Sequence, residues 1–399
     1  MIPKSICLMP WIHLYVDTSG NAKACCNTSI TYGNVNKESI ESIWNGESIK
    51  KFRKNLLEGK KDKRCAACFK REAVNKSSIR TETLVKYKPY LKWLQKTSAD
   101  GTCKHSKPVY LDIRYSNVCN LKCRTCWHGA SSSWFNDAKL LKTNFGDKAI
   151  IKATSENEKF IDDLFTFDTE LAEVYFAGGE PLMMEEHYSF LDSLLDKNET
   201  SLHLRYNTNL SKLTLKGKSA LHYWRHFKKI TLAVSIDAIG EKVAYIRSGL
   251  KWEKFLENIE LVRKQCPHIK IQIAPTVSNL SILTLCDLHQ YFVKNNLTKI
   301  NDIYLNILDR PTYYNCKNLP KSIKEKSKEN LIAHIEWLNE KNASQVVIKE
   351  FEAVIDYMMT PANASDLKEF AKQTEKLDEI RNEDFKSIFS ELVQFKDTN

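Results

Sequence analysis

The sequence predicts an α/β protein: a partial, TIM-like (β/α)6 barrel with a small cysteine-rich α+β domain before it and a helical extension after it. Three observations carry this expectation. Six apolar, β-rich runs between residues 108 and 308 alternate with helical patterns, which predicts parallel strands joined by right-handed crossovers. The segments richest in reactive side chains lie where those runs end. Barrels gather their sites at the C-terminal ends of strands, which favours an open barrel over a doubly wound sheet. Most of the twelve cysteines fall outside the runs, within residues 7–68 and 119–126.

Residues 1–98 form the first expected domain. WIHLYVDTSGNAKACC reads as a hairpin whose turn, Thr18 to Asn21, places Gly20 where a positive φ is needed. TYGNVNKESIESIWNGESIKKFRKNLLEG reads as a turn and two short amphipathic helices, and RCAACF follows with Cys65 and Cys68. The polar stretch KTSADGTCKHSK marks the boundary. The barrel is expected over 108–320, with strands at 108–115, 171–177, 201–208, 230–236, 269–277 and 302–308, each but the last followed by a helical pattern. The third domain, 321–399, reads as amphipathic helices. Phe370, Leu377, Ile380, Phe385, Ile388 and Leu392 keep helical spacing there, a stripe that packs a core.

Composition narrows the class. At 399 residues the chain is long enough for more than one domain. It has no run of 18 apolar residues, so no transmembrane helix is expected, and its first residues lack the charged, apolar and cleavage regions of a signal peptide. Twelve cysteines without a secretion signal fit a reducing, cytoplasmic setting in which thiols bind metals or stay free. The formal charge of +11 fits an acidic partner such as an electron-carrier protein, a phosphorylated substrate or nucleic acid, with ordinary surface lysines as the plain alternative. The lysines and arginines form no block with interleaved aromatics, which argues against nucleic acid.

Four segments carry chemistry. In VCNLKCRTCW, Cys119, Cys123 and Cys126 have C-x3-C-x2-C spacing after the first barrel strand. Three thiolates from one loop hold three irons of a [4Fe–4S] cluster and leave the fourth open, as a catalytic metal site requires; a zinc site is the alternative. In LAEVYFAGGEP, Gly178 and Gly179 allow close backbone approach and Glu180 offers a carboxylate to an ammonium group, although a plain turn would read the same. LHLRYNTNL ends in Asn207 and Asn209. In ITLAVSIDAIGEKVAYIRSG, Ser235 and Asp237 stand near a strand end and Arg247 follows; a helix cap and a solvated charge are the bland readings. Cys316, in DRPTYYNCKN, falls in a loop expected to overhang the barrel mouth.

In this order and spacing the segments resemble the radical S-adenosylmethionine (SAM) superfamily over roughly half the chain. The resemblance implies a SAM-binding [4Fe–4S] cluster on Cys119, Cys123 and Cys126, with the open iron chelating the methionine amino and carboxylate groups. It implies that Gly178, Gly179 and Glu180 meet the amino group, that Ser235 and Asp237 serve the ribose, that Asn207 is a further cofactor-binding residue, and that Arg247 pairs with the carboxylate. Many members carry an aromatic residue before the third cysteine; here that residue is Thr125, with Trp127 after the cysteine, so the adenine contact departs from the pattern. Cys7, Cys25, Cys65 and Cys68, with Cys26 as a rival for Cys25, resemble SPASM/Twitch accessory domains, which here precede the barrel. That likeness implies an auxiliary [4Fe–4S] cluster for electron transfer or structural order, and a four-cysteine zinc site is the alternative. The implied activity is reductive SAM cleavage and hydrogen abstraction from a peptide or small molecule. Cys316 becomes a candidate hydrogen donor, and flavodoxin or ferredoxin a candidate electron donor. The rival from another class is a non-catalytic zinc- or iron–sulfur-containing binding module.

Overall fold

In a computed structural model, residues 2–73, 77–143, 146–156, 159–167 and 170–395 are described. Their contacts divide the chain into two compact units, residues 1–117 with 150–205 and 226–229, and residues 118–149 with 206–225 and 230–399.

The first unit is built on a mixed sheet. His13–Val16 and Asn21–Lys23 form the expected hairpin, and Thr31–Asn34 adds a third antiparallel strand. Asp17 organises the turn, its Oδ1 accepting from the Ser19 and Asn21 amides at 2.9 and 3.0 Å. Gly20 has φ +80°, and a Cβ there would stand 2.4 Å from the Ala153 carbonyl oxygen, so only glycine fits. The sequence predicts His13–Val16 as a hairpin strand only. In the structure it also pairs in parallel with Tyr110–Ile113, which pairs in parallel with Glu173–Phe176. The two faces of these three strands differ in kind. Leu14, Val16, Leu111, Ile113, Val174 and Phe176 are buried on one side, where Phe176 packs edge-on against Phe190 of the helix Glu185–Asp196. Alternate positions put His13, Tyr15, Tyr110, Asp112, Glu173 and Tyr175 on the other side.

In the second unit, residues 231–234 pair in parallel with Lys270–Ile273, and Thr276–Val277 pairs in parallel with Asn306–Ile307. Each of the six ranges expected to hold a barrel strand contains one: Tyr110–Ile113, Glu173–Phe176, His203–Thr208, Lys229–Val234, Lys270–Ile273 with Thr276–Val277, and Asn306–Ile307. A short antiparallel pair joins Lys122–Cys123 to Arg247–Ser248. Three long helices follow, Lys321–Glu340, Gln345–Met358 and Ala364–Arg381. Of the apolar stripe, Phe370, Leu377, Phe385 and Leu392 are buried, while Ile380 and Ile388 are half-buried. No helix among the described residues is long and apolar enough to cross a membrane.

Candidate iron–sulfur and cofactor sites

Cys119, Cys123 and Cys126 lie in one turn of the second unit. Cys126 donates its backbone N–H to the Cys123 carbonyl at 2.9 Å. Side chains fasten the backbone around them. Ser133 donates to the Cys119 carbonyl at 2.7 Å, Ser131 to the Leu121 carbonyl at 2.6 Å, and the Trp134 indole to the Cys123 carbonyl at 2.8 Å. Asn209 reaches the loop from the end of His203–Thr208, its amide 3.7 Å from the Cys119 sulfur and 3.3 Å from Asn120 Oδ1. Cys123 and Cys126 share a hydrogen bond, which together with the Arg247 charge holds the Cys123 thiol low against its burial. The same bond and burial push Cys126 up, so the two thiols release their protons as a linked pair.

Arg247 is placed by the strand pair Arg247↔Cys123. Its Nη1 lies 3.7 Å from the Cys123 sulfur, and its other donors face Asp237: Nη2 donates to Oδ1 at 3.0 Å and Nε stands 2.8 Å from Oδ2. Both residues are buried. Asp237 Oδ1 also accepts from the Thr276 amide at 2.7 Å. The two residues assigned from sequence to opposite ends of SAM are therefore partners of each other. Ser235, just past the strand, donates its amide to the Thr208 carbonyl at 2.8 Å, while Asn207 is exposed.

In the first unit, Gly178 and Gly179 both have positive φ, +81° and +49°. A Cβ on Gly178 would stand 3.0 Å from the Arg114 Cβ, so the strand-to-turn passage needs glycine on both conformational and spatial grounds. Glu180 is buried, and its Oε1 accepts from the Leu182 amide at 3.2 Å, capping the short turn Pro181–Met183. Cys316 does not overhang anything: it is fully buried in the turn Cys316–Asn318, against Gln345–Met358, and burial pushes its thiol up to about 12.

The other four thiols also converge. Cys7, Cys25, Cys65 and Cys68 line one cavity of the first unit, together with Thr28 and Arg80. Burial pushes Cys7 up to about 12, and the nearby Cys65 and Cys68 add to the effect. Cys26 is exposed and does not line that cavity; its thiol points to Asn27 Oδ1 at 3.7 Å. Among the described residues, no group of three or more Cys, His, Asp or Glu side chains is set to hold a single metal ion.

Two family models match in register with this geometry. Residues 7–69 match the iron–sulfur cluster-binding SPASM domain, and residues 113–277 match the radical SAM superfamily. This chain carries a radical SAM domain preceded by a SPASM-type iron–sulfur domain. The radical SAM match contains both the three-cysteine loop and Arg247, and the SPASM match contains all four cavity cysteines. The chain is 28% identical over 201 residues to a GTP 3',8-cyclase of Aliarcobacter butzleri, covering 47% of this chain and 54% of that protein. It is 24% identical over 190 residues to the GTP 3',8-cyclase of Sulfurimonas denitrificans, covering 47% and 53%. Among solved structures, Streptococcus suis SuiB bound to S-adenosylmethionine is similar with a TM-score of 0.36 and 16% identity, covering 86% of this chain and 70% of that one. The chain spans about half the length of the two cyclases.

The donor sets suit the groups that the two domains imply. Each set consists of thiols, the usual ligands of iron–sulfur clusters. The SPASM cavity has four, enough to saturate one cluster, whereas the radical SAM loop has three. Sequence reasoning missed the residues that brace the radical SAM loop. Ser131, Ser133 and Trp134 belong to one run, HGASSSW, whose hydroxyls close to a cysteine motif were the available signal. Nothing local distinguished Asn209 from Asn207.

Proposed function

We propose that this chain is a radical SAM enzyme that cleaves S-adenosylmethionine reductively and abstracts hydrogen from a peptide or small-molecule substrate. The carrying observation is the contact set at Cys123, where one strand pair lays a buried, Asp237-held guanidinium 3.7 Å from a ligand sulfur. In this reading Cys119, Cys123 and Cys126 hold a SAM-binding [4Fe–4S] cluster, which when bound supplies the electron that splits the sulfonium into methionine and a 5′-deoxyadenosyl radical. Arg247 orients the methionine carboxylate by its Nη1 edge, while Asp237 holds the guanidinium in place. Gly178, Gly179 and Glu180 receive the amino group, Ser235 serves the ribose, and Asn207 is a further cofactor-binding residue. Cys7, Cys25, Cys65 and Cys68 hold an auxiliary [4Fe–4S] cluster that accepts an electron from the substrate or orders the domain.

The finer architecture belongs to the same reading: a SPASM/Twitch domain at 1–98, an open (β/α)6 barrel over 108–320 and a helical extension over 321–399. The polar face made by Tyr15, Asp112, Glu173 and Tyr175 supports the barrel, because a sheet covered by helices on both sides would bury apolar residues there. A flavodoxin- or ferredoxin-type donor in a reducing, cytoplasmic compartment would supply electrons.

The test is anaerobic. Reconstituted protein with dithionite should form 5′-deoxyadenosine from SAM, and replacing Cys119, Cys123 and Cys126 with Ala should abolish this while the SPASM iron stays. Turnover by the triple variant would sink the reading. Colourless protein holding zinc would favour the binding module instead.

A further inference from the structure

Arg124 stands between two of the loop cysteines, and its side chain is fully buried in the second unit. Its Nη2 contacts Asp378 Oδ1 and lies 2.6 Å from Glu383 Oε2. The guanidinium stacks 3.7 Å from the Tyr245 ring centre, and the Tyr245 hydroxyl donates to Asp378 Oδ1 at 2.7 Å. A second ion pair runs the opposite way. The Arg381 side chain, 1% exposed, donates from Nε to Asp137 Oδ2 at 2.8 Å and lies 4.7 Å over Trp134. That indole makes the 2.8 Å bond to the Cys123 carbonyl, and Lys122 lies 3.3 Å from the same Asp137. Asp378 and Arg381 close the helix Ala364–Arg381, and Asn382, at φ +52°, turns the chain so that Glu383 comes back to Arg124.

Such an arrangement specifies a position. A buried guanidinium is tolerated only where its counter-charges meet it, so displacing either side leaves an uncompensated charge in a low-dielectric interior. The helix otherwise has a thin apolar footing: Phe370, Thr374 and Leu377 are its buried residues. The cysteine loop and the helix end thus hold each other through crossed charges, loop cation to helix anions and helix cation to an anion just past the loop.

We propose that the end of this helix is a working part of the cysteine site: Asp378 and Glu383 are positioning residues that set Cys123 and Cys126 through Arg124, and Arg381 sets the Cys123 carbonyl through Asp137 and Trp134. The proposal rests on the reading of the loop as the SAM-cluster site. It assigns the C-terminal extension a role in cofactor geometry beyond covering a core.

The test compares wild type, Asp378→Asn/Glu383→Gln, and the control Glu379→Gln on the exposed side of the same helix, all as the whole 399-residue chain purified and reconstituted anaerobically. The double variant should keep the SPASM iron. The electron paramagnetic resonance spectrum of its reduced loop cluster should change in g values and lose its response to added SAM, and 5′-deoxyadenosine should form roughly tenfold or more slowly. Hydrogen exchange at residues 119–126 should accelerate by roughly tenfold or more relative to the control. Lower thermal stability with wild-type spectrum and wild-type exchange would overturn the proposal, because the helix would then serve stability alone. If the double variant fails to fold, Arg124→Lys decides. Its point charge reaches one carboxylate, so an intermediate spectral shift supports the proposal and an unchanged spectrum with unchanged loop exchange overturns it. Wild-type protein without a SAM-responsive signal would count against the function proposed above, and the exchange comparison would still decide the coupling.

Discussion

Arg247 and Asp237 are joined at 2.8 and 3.0 Å, and both are buried, so the guanidinium that faces the Cys123 sulfur arrives already paired with a counter-charge. This changes what each residue can offer. With Nε and Nη2 on the carboxylate, Arg247 presents a single edge, a geometry that selects direction more than it adds charge. Asp237→Asn leaves that cation without its counter-charge. The expected cost is about 3–5 kcal/mol of stability, the range for breaking one side of a buried ion pair, read from the urea midpoint at constant slope. An unchanged midpoint would mean that the pair is solvated in solution.

Glu180 caps a turn and is proposed to receive the amino group, so its two roles separate by substitution. Glu180→Gln keeps an acceptor for the Leu182 amide and removes the charge. SAM affinity should fall roughly 10- to 100-fold, the worth of one charge-assisted hydrogen bond, with iron content and melting temperature held. Calorimetry showing wild-type affinity would leave Glu180 as a cap only.

Gly178→Ala tests the backbone. At φ +81° an L side chain costs about 1–2 kcal/mol, and the 3.0 Å approach to Arg114 adds to it. Stability should drop accordingly, while the four-cysteine cavity, elsewhere in the same unit, keeps its iron.

Cys25 and Cys26 are neighbours in sequence and differ in placement. Cys25→Ala should lower bound iron from about eight to about four per chain, whereas Cys26→Ala should leave it at about eight. Equal losses in the two variants would show that the cavity assignment is wrong. Because thiols pushed up by burial must ionise to bind metal, loading of this set should improve as pH rises.

Glu173 predicts an acid response. Burial alone would raise its carboxyl, yet the bond from His203 and the charges of Lys86 and Arg205 hold it at about 2, below its usual 4.5. A depressed carboxyl stabilises the fold above its unfolded value and loses that contribution as pH falls through the folded one. His203, held low by burial, acts in the same direction. The stability advantage of wild type over Glu173→Gln should therefore be constant above about pH 4.5 and shrink towards pH 2. An advantage independent of pH would argue against an ionised Glu173.

Much of this protein is decided locally and so could be read from sequence. Strand positions follow from apolar, β-branched runs, and the cysteine spacings follow from what a short loop can present to iron. Gly20 and Gly178 occupy positions whose positive φ favours glycine. These features depend on a few neighbouring residues, and their physics travels with the local sequence. Tertiary structure decided the rest. His13–Val16 paired with Tyr110–Ile113 because a strand's second partner is chosen across 97 residues, by register and burial. Cys25 rather than Cys26 turned to the cavity, since a one-residue difference in a turn reverses the side chain's direction. Cys316 fell beneath the helices instead of over the strand ends. Arg247 met Asp237, and Arg124 met Asp378 some 254 residues away, because a buried charge takes its partner from whatever the folded chain brings within reach, and no local pattern records that choice.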